Sequence, residues 1–528
     1  MSEPSSPPTV FYENKVRVSS SPPPEEILPS ITGSCGLWQI AVISISLIFQ
    51  FISFTEQLSI IISLPSQVNF TCADGNGSQC TSANGTSCTN FVFFIPSGNL
   101  ATFTEKLNLV CGEGKYPTFV KGSYQFGLTI GFFLAGTLAD RLGHKITAMI
   151  FIPLQCLTGL FMISVSNIML LVAYMLTHGI VSMAIRVVSI LTICDTAGNN
   201  WRTFALGLIF IPKSISVIIL PYYVDLFSNF EGLLAANSII PLILLIPLLY
   251  FRDSPNYICL VEEFEKSEKA LLKIAKCSKY SIPPTTRLRP VHVVVSTNIP
   301  QKTKFSKILR PKKVRRPFIA LVIFWFFMGY INSKLTHYAY QNLTYSTISG
   351  LSGLAGCITS LCLCHWLSQK MVMGTFEFLK CLSIAGLCVY DVHLKNTTDT
   401  SFVVLKMVSI YFQTVSISVA VIITPRMFPT ELRGNCFGLC GSVYHFGGFL
   451  EKFLSHYVRN AIYVTGIFLI IALIIEAYAC SWFWKVHNRE LPDFLVDCIR
   501  FRKYYKPTRF VVVYNNEQQE EIEIELAD

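Results

Sequence analysis

The chain has 528 residues, of which 52% are hydrophobic and only 14% charged, and its mean hydropathy is +0.49. A water-soluble chain of this length carries about a quarter charged residues, so the composition excludes an ordinary soluble globular protein and points to lipid as the solvent. The net charge of +10 comes with no soluble basic face, which argues against nucleic acid as a partner and fits the loop charge of a cytosolic membrane surface.

In lipid, every backbone polar group must be satisfied internally, which leaves helices or closed barrels. The apolar runs are continuous and about 20 residues long, so helices are expected. Residues 1–35 hold Pro7, Pro8, Pro22, Pro23 and Pro24 and read as a disordered cytosolic tail. The first span runs from roughly Gly36 to Leu64. A polar segment over 65–117 follows, too long for a simple connection and expected on the outside. Further spans are expected at roughly 118–138, 146–165, 168–193, 203–226 and 232–251, completing a first half over 36–251. A basic loop occupies 252–315, with Lys302, Lys304, Lys307, Arg310, Lys312 and Lys313 near its end. Six more spans are expected at roughly 317–337, 346–367, 372–393, 401–424, 434–458 and 461–486, within a second half over 316–486. The tail over 487–528 ends acidic.

The basic central loop is expected in the cytosol. An independent reading comes from the N-x-S/T sequons at Asn69, Asn76, Asn84, Asn342 and Asn396, which all fall in or beside loops on the opposite side. The expected topology is multi-pass with both termini cytosolic, glycosylated at these asparagines. Cys72, Cys80, Cys88 and Cys111 share the first outer loop, where an oxidising compartment favours two disulfides of open pairing. The other cysteines mostly sit singly in apolar runs, and no C-x-x-C pair suggests a metal. No G-x-x-x-x-G-K-S/T loop is present, so no nucleotide or other cofactor is expected. His178, His337, His365, His445 and His456 are spread over different spans, which argues against an enzyme.

Several short motifs recur in order along the chain. They are Asn108-Leu-Val-Cys111, Gly136-Thr-Leu-Ala-Asp140-Arg141-Leu-Gly143-His-Lys145, Arg252-Asp253-Ser254-Pro255-Asn256-Tyr257-Ile258, Phe428-Pro429-Thr430-Glu-Leu-Arg433 and Leu491-Pro492-Asp493. Together they resemble the organic cation and organic anion transporters, solute carrier family 22 of the major facilitator superfamily, of which the chain is identified as a divergent member. The resemblance implies an all-α membrane protein with the major facilitator fold, twelve transmembrane helices in two pseudo-symmetric six-helix halves. It implies a plasma-membrane carrier of small organic ions, a facilitator or exchanger working by alternating access. It also implies a gate. Gly136 and Gly143 would allow close helix approach and a tight turn. Asp140, Arg141, Asp195 and Arg202 would form an ion-pair network at the inner face, with Arg433 in the second half. That second half departs from the pattern. Its turn Cys364-His365-Trp366-Leu367-Ser368-Gln369-Lys370 has no Asp-Arg pair, and the usual acid before the Phe-Pro-Thr motif is Arg426.

Ionisable residues within spans are candidate substrate contacts, because they cost free energy there. Arg186, Lys213 and His445 occupy spans 4, 5 and 11, and Tyr124, Trp325, Tyr330 and Tyr444 supply aromatic faces that suit flat or charged ligands. Each has a structural alternative: Lys213 could pair with Glu56 or Asp225, His445 could be a hydrogen-bonded core histidine, and the aromatics could be ordinary packing. The family's cation carriers hold Asp at the position of His445 and its anion carriers hold Arg. The missing Asp and the several basic groups favour organic anions or zwitterions over cations. An organic cation carrier, or a non-transporting sensor or scaffold on the same fold, remains the alternative. The expected partners are a small organic ion and the lipid bilayer, and the oligomeric state is left open.

Overall fold

The computed structural model describes residues 36–64, 116–227, 229–250, 305–339, 343–393, 400–457 and 462–483, with shorter pieces at 69–72, 91–94, 102–110, 253–254, 257, 264–277, 287–290, 486, 491–492, 498 and 510–513. The first half holds α1 (Leu37–Ile62), α2 (Tyr116–Leu142), α3 (His144–Ile163), α4 (Ile168–Thr196), α5 (Asn199–Gly207 continued by Phe210–Val224) and α6 (Phe230–Ile243 continued by Leu245–Tyr250). The second half holds α7 (Lys312–Ala339), α8 (Leu343–Trp366), α9 (Gln369–His393), α10 (Thr400–Ile423), α11 (Arg433–Tyr457) and α12 (Ile462–Cys480). Twelve helical spans are thus present among the described residues. The two interruptions have a local cause. Proline lacks a backbone N–H, and its ring clashes with the carbonyl four residues before it. Pro212 acts in this way on Leu208, in the break of α5, and Pro247 acts on Ile243, at the break of α6.

The spans alternate in direction, so one end of the bundle carries the start of α1 and the α2–α3 turn. We call it the proximal end and the other the distal end. The halves meet along two helix pairs, α2 against α11 and α5 against α8. Exchanging each helix for the one six places on converts one pair into the other, the relation of a pseudo-two-fold axis. Nine of the spans are long and apolar enough to cross a bilayer by composition alone, among the described residues. α2, α11 and α12 do not meet that measure; of these, α2 and α11 line the junction between halves. Their polar and small residues face protein rather than lipid.

Gly136 shows how close that junction is. A Cβ on it would lie 2.1 Å from the carbonyl oxygen of Gly434, a distance no side chain tolerates. Gly143 serves the α2–α3 turn, with φ of +90° that favours glycine, and a Cβ there would press on Asp253 and Tyr257.

Two short antiparallel sheets lie outside the spans. β1 (Asn69–Cys72) pairs with β2 (Phe91–Phe94) in the first distal loop. β3 (Arg287–Pro290) pairs with β4 (Phe510–Val513), joining the central loop to the C-terminal tail. Of the expected glycosylation and disulfide sites, Asn69 and Cys72 mark the two ends of β1. Asn76, Asn84, Asn342, Asn396, Cys80, Cys88 and Cys111 lie outside the described residues, as does the tail over 1–35.

Candidate functional site: a basic cavity above a proximal gate

A cavity of about 130 Å³ lies between the halves, lined by α1, α2, α4 and α5 on one side and α7, α10 and α11 on the other. Arg186, Lys213, Trp325, Tyr444 and His445 all line it. Tyr124 and Tyr330 lie off it. Helical geometry explains this, since five residues on a helix turn about 140° past a whole turn. Tyr330 stands five residues after Trp325 and so packs instead with Leu335, Ile384 and Leu473. Tyr124 turns into the first half, with its ring 6.4 Å from that of His178.

Arg186 is only 6% exposed and is held by α1. Its Nη1 donates to Gln57 Oε1 at 2.9 Å, and its Nη2 donates to the Ser53 carbonyl and hydroxyl at 3.0 and 3.1 Å. The guanidinium sits 4.0 Å over the Phe54 ring, an attractive cation–π position. Its Nε has no hydrogen-bond partner, and no carboxylate pairs with it among the described residues. Lys213 lies 5.7 Å from the Phe210 ring centroid. It pairs with neither Glu56 nor Asp225. Glu56 is engaged elsewhere: His178 Nε2 is 2.9 Å away, and Gln155 donates to its other oxygen. Asp225 is exposed at the distal end of α5.

His445 is tied to the first half by Gln125, whose Nε2 lies 3.0 Å from the ring Nδ1. The Trp325 indole donates to Thr424 at 3.0 Å, and its ring meets Tyr444 edge-on. The cavity also takes in Lys452, seven residues after His445 on α11. Seven residues are two turns, so the pair share a face. No sequence motif marks Lys452, although its spacing from His445 is a usable signal. No Asp or Glu is among the cavity's lining residues.

Below the cavity, at the proximal end, the halves are pinned together. Asp140, on the last turn of α2, accepts the backbone N–H groups of Gly434 and Asn435 at 2.7 Å each and the Asn435 amide at 2.6 Å. It thus caps the first turn of α11, where unsatisfied N–H groups and the helix dipole favour an anion. Asp195 pairs with Arg433, and His144 Nε2 stands 3.7 Å from the same carboxylate. Arg433 also donates to the Pro425 carbonyl at 2.9 Å and to Thr430 Oγ1 at 3.0 Å.

The remaining expected gate residues are placed differently. Arg141 is exposed, and its carbonyl accepts from the Tyr257 hydroxyl at 3.2 Å. Arg202 is fully buried and donates to the Cys194 carbonyl at 2.9 Å. Asp253, in the motif after α6, accepts the Lys145 N–H at 2.7 Å and so caps α3 as Asp140 caps α11. In the second half, Lys370 reaches the Phe483 carbonyl at 2.8 Å, at the end of α12. Arg426 joins Thr203 of α5 to the Val486 carbonyl, both at 2.8 Å. The second half therefore replaces the missing acids by basic side chains that bond carbonyls and a hydroxyl.

Two six-helix halves around a central cavity, closed at one end by reciprocal helix contacts, define a multi-pass membrane protein of the facilitator type. The model of the Major Facilitator Superfamily matches residues 83–450, and the chain belongs to that superfamily. Within it the chain is a divergent relative of solute carrier family 22. Solute carrier family 22 member 3 of Rattus norvegicus is 22% identical over 374 residues, covering 67% of this chain and 64% of the relative. The human Organic cation/carnitine transporter 2 is 22% identical over 416 residues, covering 76% of this chain and 72% of the relative. These relatives carry the names of carriers and transporters, not of enzymes. A solved structure of the proton:xylose symporter XylE superposes with a TM-score of 0.60 at 12% identity, covering 85% of this chain and 95% of that one, and shows the fold alone.

Proposed function

We propose that the protein carries small organic anions across the plasma membrane by alternating access. The observation that carries this reading is the charge of the cavity. Arg186, Lys213 and Lys452 line it, and no carboxylate does. Cations in a membrane interior cost free energy unless an anion or water meets them, so the site favours a ligand that brings the negative charge. Trp325, Tyr444 and Phe54 add aromatic faces for a flat ligand. A comparable cavity of about 150 Å³ in another protein holds a benzene ring, which sets the scale of the group enclosed. Zwitterions fit the same chemistry through their acidic group.

The proximal end then faces the cytosol, as the basic central loop and the five sequons expected on the opposite side support. Asp140, Asp195 and Arg433 hold that side shut, and their release opens it. Asp140 and the Asp195–Arg433 pair each join one half to the other, so breaking them lets the halves rock about the cavity. Replacing the five sequon asparagines with Gln should lower the apparent mass by as much as glycosidase treatment does. An unchanged mass would reverse the orientation.

The test of function is uptake in cells expressing the chain, against permanently charged anions and cations, with surface protein quantified. Arg186→Ala should abolish anion uptake at unchanged surface level. Normal uptake by that variant sinks the site. Saturable anion binding with no flux in the parent protein would favour a sensor on the same fold.

A further inference from the structure

We propose that Lys452 is the specificity-determining residue of the second half, receiving the acidic group of an organic carboxylate or sulfonate at the distal end of the cavity. This rests on the reading of the protein as an anion carrier and adds a residue to it.

The first reason is place. α11 runs from the proximal gate at Arg433 to Tyr457, so Lys452 stands two turns distal to His445 on the face that lines the cavity. Asn332 and Ser333 of α7 and Gln57 of α1 line the cavity with it. The proximal end is closed by the Gly136–Gly434 contact and the Asp140 cap. A ligand arriving from the distal side therefore meets Lys452 before it reaches His445.

The second reason is charge. Lys452 has a carboxylate as its immediate chain neighbour, Glu451, but that carboxylate is turned onto α7. It accepts the Ser333 hydroxyl at 2.8 Å and lies 3.9 Å from Lys334. Among the described residues no carboxylate pairs with Lys452. An ammonium in that position, with polar neighbours and its nearest carboxylate bonded to another helix, is a ready anion site. Arg186, by contrast, is already clasped by Ser53, Gln57 and Phe54, and His445 by Gln125. Lys452 is the cavity cation of the second half, so an acid held there and at Arg186 bonds both halves at once. Such a bridge is what couples binding to their relative movement.

The experiment measures saturable uptake of labelled benzenesulfonate and of benzyltrimethylammonium, a pair of similar size and opposite fixed charge. Lys452→Gln should raise the KM for benzenesulfonate about ten- to a hundredfold, the loss expected for one charged hydrogen bond, at unchanged surface level. Lys452→Arg should retain uptake, which a merely structural lysine packed to its own shape would not predict. Lys452→Glu should shift the preference toward benzyltrimethylammonium. A Lys452→Gln protein with the parent KM for benzenesulfonate overturns the assignment while leaving anion transport standing. A parent protein that takes up only benzyltrimethylammonium overturns the proposed function, and this assignment with it.

Discussion

The carboxylate of Asp140 accepts the backbone N–H of Gly434 at 2.7 Å, so a residue that ends a helix of the first half caps a helix of the second. The bond is possible only because Gly136, one turn earlier, has no side chain to keep α11 away. The motif acid thus serves the partner helix rather than the arginine beside it in sequence.

Asp140→Ala removes that cap. Caps contribute about 0.5–2 kcal/mol, which changes a two-state ratio by roughly two- to thirtyfold. The proximally closed form should lose that much population. A cysteine placed at Ile61, which lines the cavity, reports it through slower labelling by an impermeant thiol reagent added from the distal side. Unchanged labelling would show that the cap does not poise the equilibrium.

Asp195 and Arg433 are each almost wholly buried and paired across the halves. Removing one partner leaves an uncompensated charge, at a cost of about 3–5 kcal/mol. Asp195→Asn and Arg433→Gln should each lower the thermal stability of the detergent-solubilised protein strongly, and the double variant by less than the sum. Strict additivity would mean that the two side chains do not act on each other. A charge swap should not restore the parent, because Arg433 also donates to the Pro425 carbonyl and Thr430.

Lys380 of α9 lies between two carboxylates, Glu377 at 2.6 Å and Glu476 of α12 at 2.9 Å, all three at 1% exposure or less. Lys380→Met should leave the acids facing each other and reduce the protein reaching the surface. Adding Glu377→Gln and Glu476→Gln to that variant should recover most of the loss, since apolar and neutral replacements of a buried ion cluster are tolerated. Failure to recover would point to a role beyond packing α12.

Arg186→Lys tests geometry rather than charge. Lysine keeps the cation but cannot present the planar fork that reaches Ser53 and Gln57 together. Anion uptake should fall about tenfold or more, with most of the change in KM. Parent-like kinetics would show that charge alone suffices at this position.

Much of this molecule could be read from the chain. Span positions follow from runs of apolar residues, and the observed helices fall close to the expected ranges, even for α2 and α11, whose polar residues weaken the signal. Arg186, Lys213 and His445 stood out because ionisable groups are rare within spans. What escaped was pairing across distance. Asp195 and Arg433 are far apart in sequence, and nothing local tells which arginine an aspartate will meet. Tyr330 and Trp325 looked equivalent by type, yet a helix turns one toward α9 and α12 and the other toward the cavity.

The sequence by itself determined the solvent, the number of spans and the family pattern, because each is a matter of composition and order along the chain. Only the tertiary structure decided which charges share the cavity, that Glu451 turns away while Lys452 turns in, and that Asp140 caps a helix of the other half. Those are relations between helix faces, and a face is fixed by the neighbours it packs against.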